Sequence, residues 1–111
     1  MTLAYDGRRF RSTATETASG ADTPVGHYHQ SGDLVWAEFS GGSVRLGRLA
    51  GRCAPSGELR AGYVQILTDG RTVSGEVVTT PTELPDGRLR LREDWRRSDG
   101  SSGISWVEEL R

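Results

Sequence analysis

Turn signals recur along this chain at close intervals. They fall at Asp6-Gly7, Ser31-Gly32-Asp33, Gly41-Gly42, Pro55-Ser56-Gly57, Asp69-Gly70, Asp86-Gly87 and Asp99-Gly100. Asp-Gly suits tight hairpins, because glycine takes positive φ without steric cost and aspartate tolerates it. Between the signals lie segments of strand length, rich in Val, Ile, Leu, Thr, Tyr and Trp, and none holds a helical period. Short strands at even spacing predict an all-β barrel or sandwich.

The spacing predicts eight strands: Arg8 to Thr15, Val25 to Gln30, Leu34 to Ser40, Ser43 to Ala50, Glu58 to Leu67, Arg71 to Thr79, a seventh after Asp86-Gly87, and Gly103 to Leu110. Leu3 to Tyr5 forms a short arm, Glu16 to Pro24 a polar loop, and Thr82 to Leu84 at most one helical turn. Eight antiparallel strands in sequence most simply make an up-and-down meander. An open meander leaves two edges of unpaired backbone, and closure removes them. A closed eight-stranded barrel follows, with a β-sandwich as the alternative. Its interior is just wide enough to be filled by side chains or to hold one small ligand. Gly47, Gly62 and Gly75 fall inside strands, where a barrel strand coils or another backbone approaches.

The stretch Asp86 to Trp95 best defines inside and outside. Arg88, Arg90 and Arg92 share one face, while Leu89, Leu91, Glu93 and Trp95 share the other. The same alternation groups Leu59, Ala61, Tyr63, Gln65 and Leu67 on strand five. It groups Leu34, Trp36 and Glu38 on strand three, and Ile104, Trp106, Glu108 and Leu110 on strand eight. Three otherwise apolar faces thus carry an acid towards one end. An ionised carboxylate in an apolar interior costs several kcal/mol, so each must be paired, neutral or at a wet rim.

At 111 residues the chain is one domain, 1–111, large enough for a core without disulfides or metal. A net charge of −1 argues against a dedicated polyanion binder, so no nucleic-acid partner is expected. All 14 basic residues are arginine, a bias that fits GC-rich codon usage. The single cysteine, Cys53, fits a reducing compartment or a small buried side chain. Arg8-Arg9 is followed by no apolar leader segment, and no run approaches the ~18 apolar residues of a membrane span. A soluble, cytoplasmic protein without a membrane partner is expected.

Several motifs, Tyr5-Asp6-Gly7-Arg8-Arg9-Phe10-Arg11, His27-Tyr28-His29-Gln30, Val35-Trp36-Ala37 and Ser40-Gly41-Gly42, occur in that order, followed by Thr80-Pro81-Thr82-Glu83-Leu84-Pro85-Asp86-Gly87 and Leu91-Arg92-Glu93-Asp94-Trp95. In these, over nearly its full length, the chain resembles a family of short bacterial proteins that carry the label N-acetylglutamate synthase. The resemblance implies a small calycin-like or avidin-like barrel. The residues do not support the enzymatic label. Acetyl transfer from acetyl-CoA calls for backbone amides at a loop and helix start to cradle the pyrophosphate, and no Gly-rich strand-loop-helix unit occurs. Tyr63-Val64-Gln65-Ile66 and Trp95-Arg96-Arg97 depart from the family pattern. If those positions line a pocket, ligand preference differs from that of relatives.

Three constellations stand out. His27 and His29 share a strand face, as metal-binding pairs do, but a site needs a third ligand from Glu38, Glu76 or Glu93. The plainer reading is a solvated face with Tyr28 turned inward, and no metal or other cofactor is expected. The arginine stripe, extended by Arg96 and Arg97, fits a solvated face paired with neighbouring acids better than a phosphate track. The third combines Trp36, Tyr63, Trp95 and Trp106 with Gln65, Glu76 and Glu93. Apolar walls with a few convergent polar groups are what small-molecule sites look like. The expected function is binding of a small, partly apolar ligand in or at the mouth of the barrel. Glu93, Trp95, Trp36, Tyr63, Gln65, Trp106, Glu76 and His27 are the candidate ligand-binding residues. An isomerase or cyclase using Glu93 or His27 as acid or base is the runner-up. A structural module pairing through a strand face, as a homodimer, is third.

Overall fold

The computed structural model describes residues 4–13 and 22–111. Its strands are β1 (Arg9–Ser12), β2 (Val25–Ser31), β3 (Leu34–Gly41), β4 (Val44–Cys53), β5 (Leu59–Leu67), β6 (Thr72–Glu83), β7 (Leu89–Arg97) and β8 (Ser102–Glu109). Each runs antiparallel to the next, and β1 also pairs with β8, so the meander closes into a barrel. Among the described residues there is no helix. Leu3, the end of the first expected strand and most of the expected polar loop lie outside the described residues. The helical turn expected at Thr82 to Leu84 is not formed. Instead β6 continues to Glu83, paired with β7 through Thr82↔Arg90 and Glu83↔Leu89. Pro81 is tolerated because β5 ends at the Leu59↔Thr79 pair, leaving no neighbour on that side to ask for its missing N–H.

The turns behave as their dipeptides predict. At the β6–β7 corner Gly87 takes φ 87°, and its N–H donates to the Leu84 carbonyl at 2.9 Å. Asp86 accepts from the Arg88 guanidinium at 2.7 Å and from the Arg88 N–H at 3.1 Å. These bonds hold the Asp86 carboxyl down to about 2.

Inward-facing residues on β7 are Leu89, Leu91, Glu93 and Trp95, and on β5 Leu59, Ala61, Tyr63, Gln65 and Leu67, as the alternation predicts. Two faces are the reverse of expectation. On β3 the interior takes Val35, Ala37 and Phe39, while Leu34 and Trp36 lie outside with 54% and 41% exposure. On β8 it takes Ser105 and Val107, leaving Ile104, Trp106 and Glu108 outside. The physical reason is space. Gly103 leaves room for the Trp95 indole, since a Cβ there would lie 2.6 Å from the ring. Gly47 does the same for Phe39, whose ring occupies the place a Cβ would need. Gly75 fits the expected close backbone approach, since the Arg96 carbonyl stands where its Cβ would be, whereas a Cβ on Gly62 would meet nothing closer than 3.9 Å. A bulge in β4 between Val44 and Leu46 turns Val44 inward and Leu46 outward.

The end of the barrel bounded by the β2–β3, β4–β5 and β6–β7 turns is plugged. Tyr5 is fully buried there, its hydroxyl donating to the Gly57 carbonyl at 2.6 Å and its ring stacked on Tyr28 with centroids 5.9 Å apart. Leu59, Leu89, Leu91 and Val35 pack with it in one core cluster. Glu109 ties this end of the β1–β8 seam. One carboxylate oxygen accepts from Arg8 at 2.7 Å and from the Leu89 N–H at 2.9 Å.

Candidate functional site

At the opposite end the described residues do not fill the interior. A cavity of about 120 Å³ lies among the ends of the strands there. Its walls include Phe10 of β1, Tyr28 of β2, Phe39 of β3, Leu49 of β4, Tyr63 of β5 and Val77 of β6. Trp95 of β7 and Val107 of β8 complete the apolar wall. Polar side chains reach it at Ser12, Gln65, Glu93, Arg97 and Ser105. An apolar cavity of ~150 Å³ in another protein admits benzene, so this space suits a body of about one ring.

Strand alternation positions these groups. Glu93, Trp95 and Arg97 are consecutive inward positions on β7, and their cross-strand partners are Thr79, Val77 and Gly75 on β6. The Trp95 indole N–H donates to Ser105 Oγ at 2.8 Å, which fixes the ring over Gly103. The Arg97 guanidinium lies over the same ring, 4.5 Å from its centroid.

Glu93 differs from every other acid in the barrel. Its carboxylate makes no hydrogen bond or ion pair among the described residues and is buried at the cavity, opposite Thr79 on β6. Burial pushes its pKa from 4.5 up to about 7. Burial, and then the nearby Glu93 charge, hold the Tyr28 hydroxyl well above its usual range. A carboxyl near neutrality, facing an aromatic cavity, can accept from a donor when ionised and donate when protonated.

Of the residues singled out in the sequence, Glu93, Trp95, Tyr63 and Gln65 meet in this cavity. Trp36, Trp106, Glu76 and His27 do not, because each occupies the outward position of its strand. Polar neighbours stack on the outer aromatics instead. Trp36 stacks on His29 at 5.6 Å, and Arg90 caps Trp106 at 4.2 Å. His27 and His29 share the outer face with rings 4.9 Å apart, and His29 Nε2 lies 2.9 Å from Glu38, whose carboxyl that bond lowers. Among the described residues no three such groups converge as a metal site would need. Three arginines of the stripe pair with acids: Arg88 with Asp86 at 2.7 Å, Arg92 with Asp94 at 3.3 Å and Arg90 with Glu108 at 3.7 Å.

Sequence reasoning missed Phe10, Phe39, Ser12 and Ser105, and it set Arg97 in the arginine stripe as well as among positions that could line a pocket. Phe39 follows Trp36 out of phase, and choosing Trp36 as the inward residue put Phe39 outside. Arg97 continues the inward series of β7 past Trp95, and period two alone would have found it.

A family model described as avidin-like protein matches residues 3–110. No curated protein and no solved structure matches the chain. The closed eight-stranded meander with one unfilled end agrees with that match over almost the whole sequence, and the chain belongs to the avidin-like protein family.

Proposed function

We propose that this protein binds a small, partly apolar molecule in the unfilled end of its barrel, with Glu93 taking the ligand's polar group. The observation that carries this reading is the partnerless Glu93 carboxylate at an aromatic cavity. Leaving a carboxylate there weakens the fold, and a ligand that meets it supplies a reason for keeping it. Trp95, Tyr63, Phe39 and Tyr28 form the walls, and Gln65 offers an amide beside them. Membership of the avidin-like family supports a ligand-binding barrel. The lone, buried Cys53 thiol supports a reducing, cytoplasmic setting. Exposed Trp36, Leu46, Val64 and Ile66 on the adjoining outer strands β3, β4 and β5 support pairing of two copies.

The test is a titration with single-ring fragments, followed through the amide and indole N–H resonances. Binders are expected to shift the Trp95 indole signal, and Val77→Phe, which fills the cavity, is expected to abolish the shift. Fragments that bind equally well to Val77→Phe without moving that signal would overturn the reading.

An enzymatic role is the second reading, favoured by the same Glu93. A carboxyl poised near 7 is suited to general acid–base work. Turnover of a bound molecule that is lost in Glu93→Gln while affinity survives would decide for it.

A further inference from the structure

Two features of the cavity ask for the same kind of ligand. The first is Glu93, a carboxylate with no cationic or hydrogen-bonding partner among the described residues. The second is the wall around it, where Phe10, Tyr28, Phe39, Tyr63 and Trp95 bring five aromatic rings to a space of about 120 Å³. Aromatic faces are electron-rich and attract cations, most strongly where water is excluded. A carboxylate in the same space gives such a cation its counter-charge and regains the partner that burial denied it.

We propose that the cavity receives a compact organic ammonium ion, a protonated amine or quaternary ammonium on a body of about one ring, with Glu93 as counter-ion. The proposal rests on the cavity being a binding site and names the class of molecule it takes. Arg97 does not already play the cation's part. It is the fourth residue along the strand from Glu93, with about 13 Å between the two Cα atoms at the rise of a β-strand. Its guanidinium lies over the Trp95 ring, 4.5 Å from the centroid, and makes no ion pair with Glu93 among the described residues. A neutral molecule of the same shape would leave the negative charge uncompensated. An anion would meet it as a like charge.

The charge state of Glu93 sets the pH dependence. Among the described residues, the titratable groups facing it are the phenols of Tyr28 from β2 and Tyr5 from the arm before β1, both held above their usual range chiefly by burial. Tyr63 of β5 lines the same space, and Arg97 lies at its rim. The other strands face it with Phe10 and Ser12, Phe39, Leu49, Val77 and Thr79, and Ser105 and Val107, none of which titrates. Burial pushes the Glu93 carboxyl up to about 7, so its charge changes near neutrality.

Benzylamine, benzyl alcohol and benzoate share one body and differ in charge, and tetramethylammonium adds a cation without a donor. Calorimetric titration of the full chain at about pH 8 should find benzylamine bound at least ~10-fold more tightly than benzyl alcohol, and benzoate weakest. Lowering the pH to about 6 should weaken benzylamine about 10-fold as Glu93 takes up its proton, with benzyl alcohol little changed. Glu93→Gln should erase the preference for the amine. If benzyl alcohol or benzoate matches or exceeds the cations on the wild-type protein, the cation assignment is wrong and the binding site remains. The assignment is equally wrong if neither cation binds while other single-ring fragments shift the Trp95 indole. If no fragment of any charge reaches the cavity, the binding reading falls with it. The wild-type comparison decides the matter even if the variant does not fold.

Discussion

The two ends of the barrel solve the same geometric problem in opposite ways. At the plugged end Tyr5 is fully buried, its hydroxyl donates to a carbonyl, and Leu59, Leu89 and Leu91 pack against it. Even the acid near that end, Glu109, accepts from both a guanidinium and a backbone N–H. At the other end an acid on the same face of β7 as Leu89 and Leu91, Glu93, has no partner among the described residues and stands beside the cavity. One end is arranged for stability, while the other gives up stability for an open, polarisable site. The trade is typical of functional sites.

The contrast can be broken most directly at Tyr5. Tyr5→Ala should cost about 3–5 kcal/mol, because it opens a void in the best-packed region and orphans the Gly57 carbonyl. Thermal melting should fall by well over ~10 °C. Trp95→Ala, in the half-filled end, should cost clearly less. Equal losses would show that the two ends are packed alike.

Glu93 sharpens the comparison from the other side. Folded, its carboxyl keeps the proton up to about 7, whereas an unfolded one releases it near 4.5. Between those values the folded state holds more protons, so stability drops as pH rises through that window. The penalty is complete above about 7 and amounts to at most ~3 kcal/mol, less where solvent reaches the carboxylate. Glu93→Gln should therefore be more stable than wild type at about pH 8, with the gain fading towards pH 4.5. Denaturant titrations at both pH values would check this, and a loss of stability at pH 8 would mean that Glu93 is paired.

A smaller effect is expected from Gly103→Ala. The added methyl would lie 2.6 Å from the Trp95 ring and force the indole off Ser105, at about 1–3 kcal/mol. An unchanged melting temperature with intact fragment binding would show that the indole is not held as described.

These residues also show what could be read from the sequence. Strands β5 and β7 were legible to the level of which side chain faces in, because their outward positions carry arginine or exposed Val64 and their inward runs are unbroken. On β3 and β8 the larger apolar residues face outward, so hydrophobicity pointed the wrong way. A small barrel has a fixed interior volume. Once Trp95 and Phe39 occupy part of it, their neighbours must be Gly103 and Ser105, or Gly47, and the bulk of those strands is displaced to the outside. Trp36 and Trp106 are tolerated there because a histidine ring and a guanidinium lie over them. Such complementarity between strands distant in sequence leaves no mark in the period of any one of them. Glu93 was legible because it interrupts an apolar face. That no partner meets it was not, since the absence depends on what seven other strands bring to the same place.

The seam between β1 and β8 carries a further consequence, for the order of assembly. Every other neighbouring pair is consecutive in the chain, so β2 through β8 can form hairpin by hairpin across short turns, at low contact order. The seam alone joins positions about a hundred residues apart, such as Phe10 and Glu109, and carries the largest loop-closure entropy. The ring thus closes last in folding and parts first in unfolding. Phe10 and Ser12 on one side of that seam, and Ser105 and Val107 on the other, border the cavity. A molecule held there bridges both sides, so occupancy would act as a clasp on the closing step, slowing unfolding rather than hastening folding.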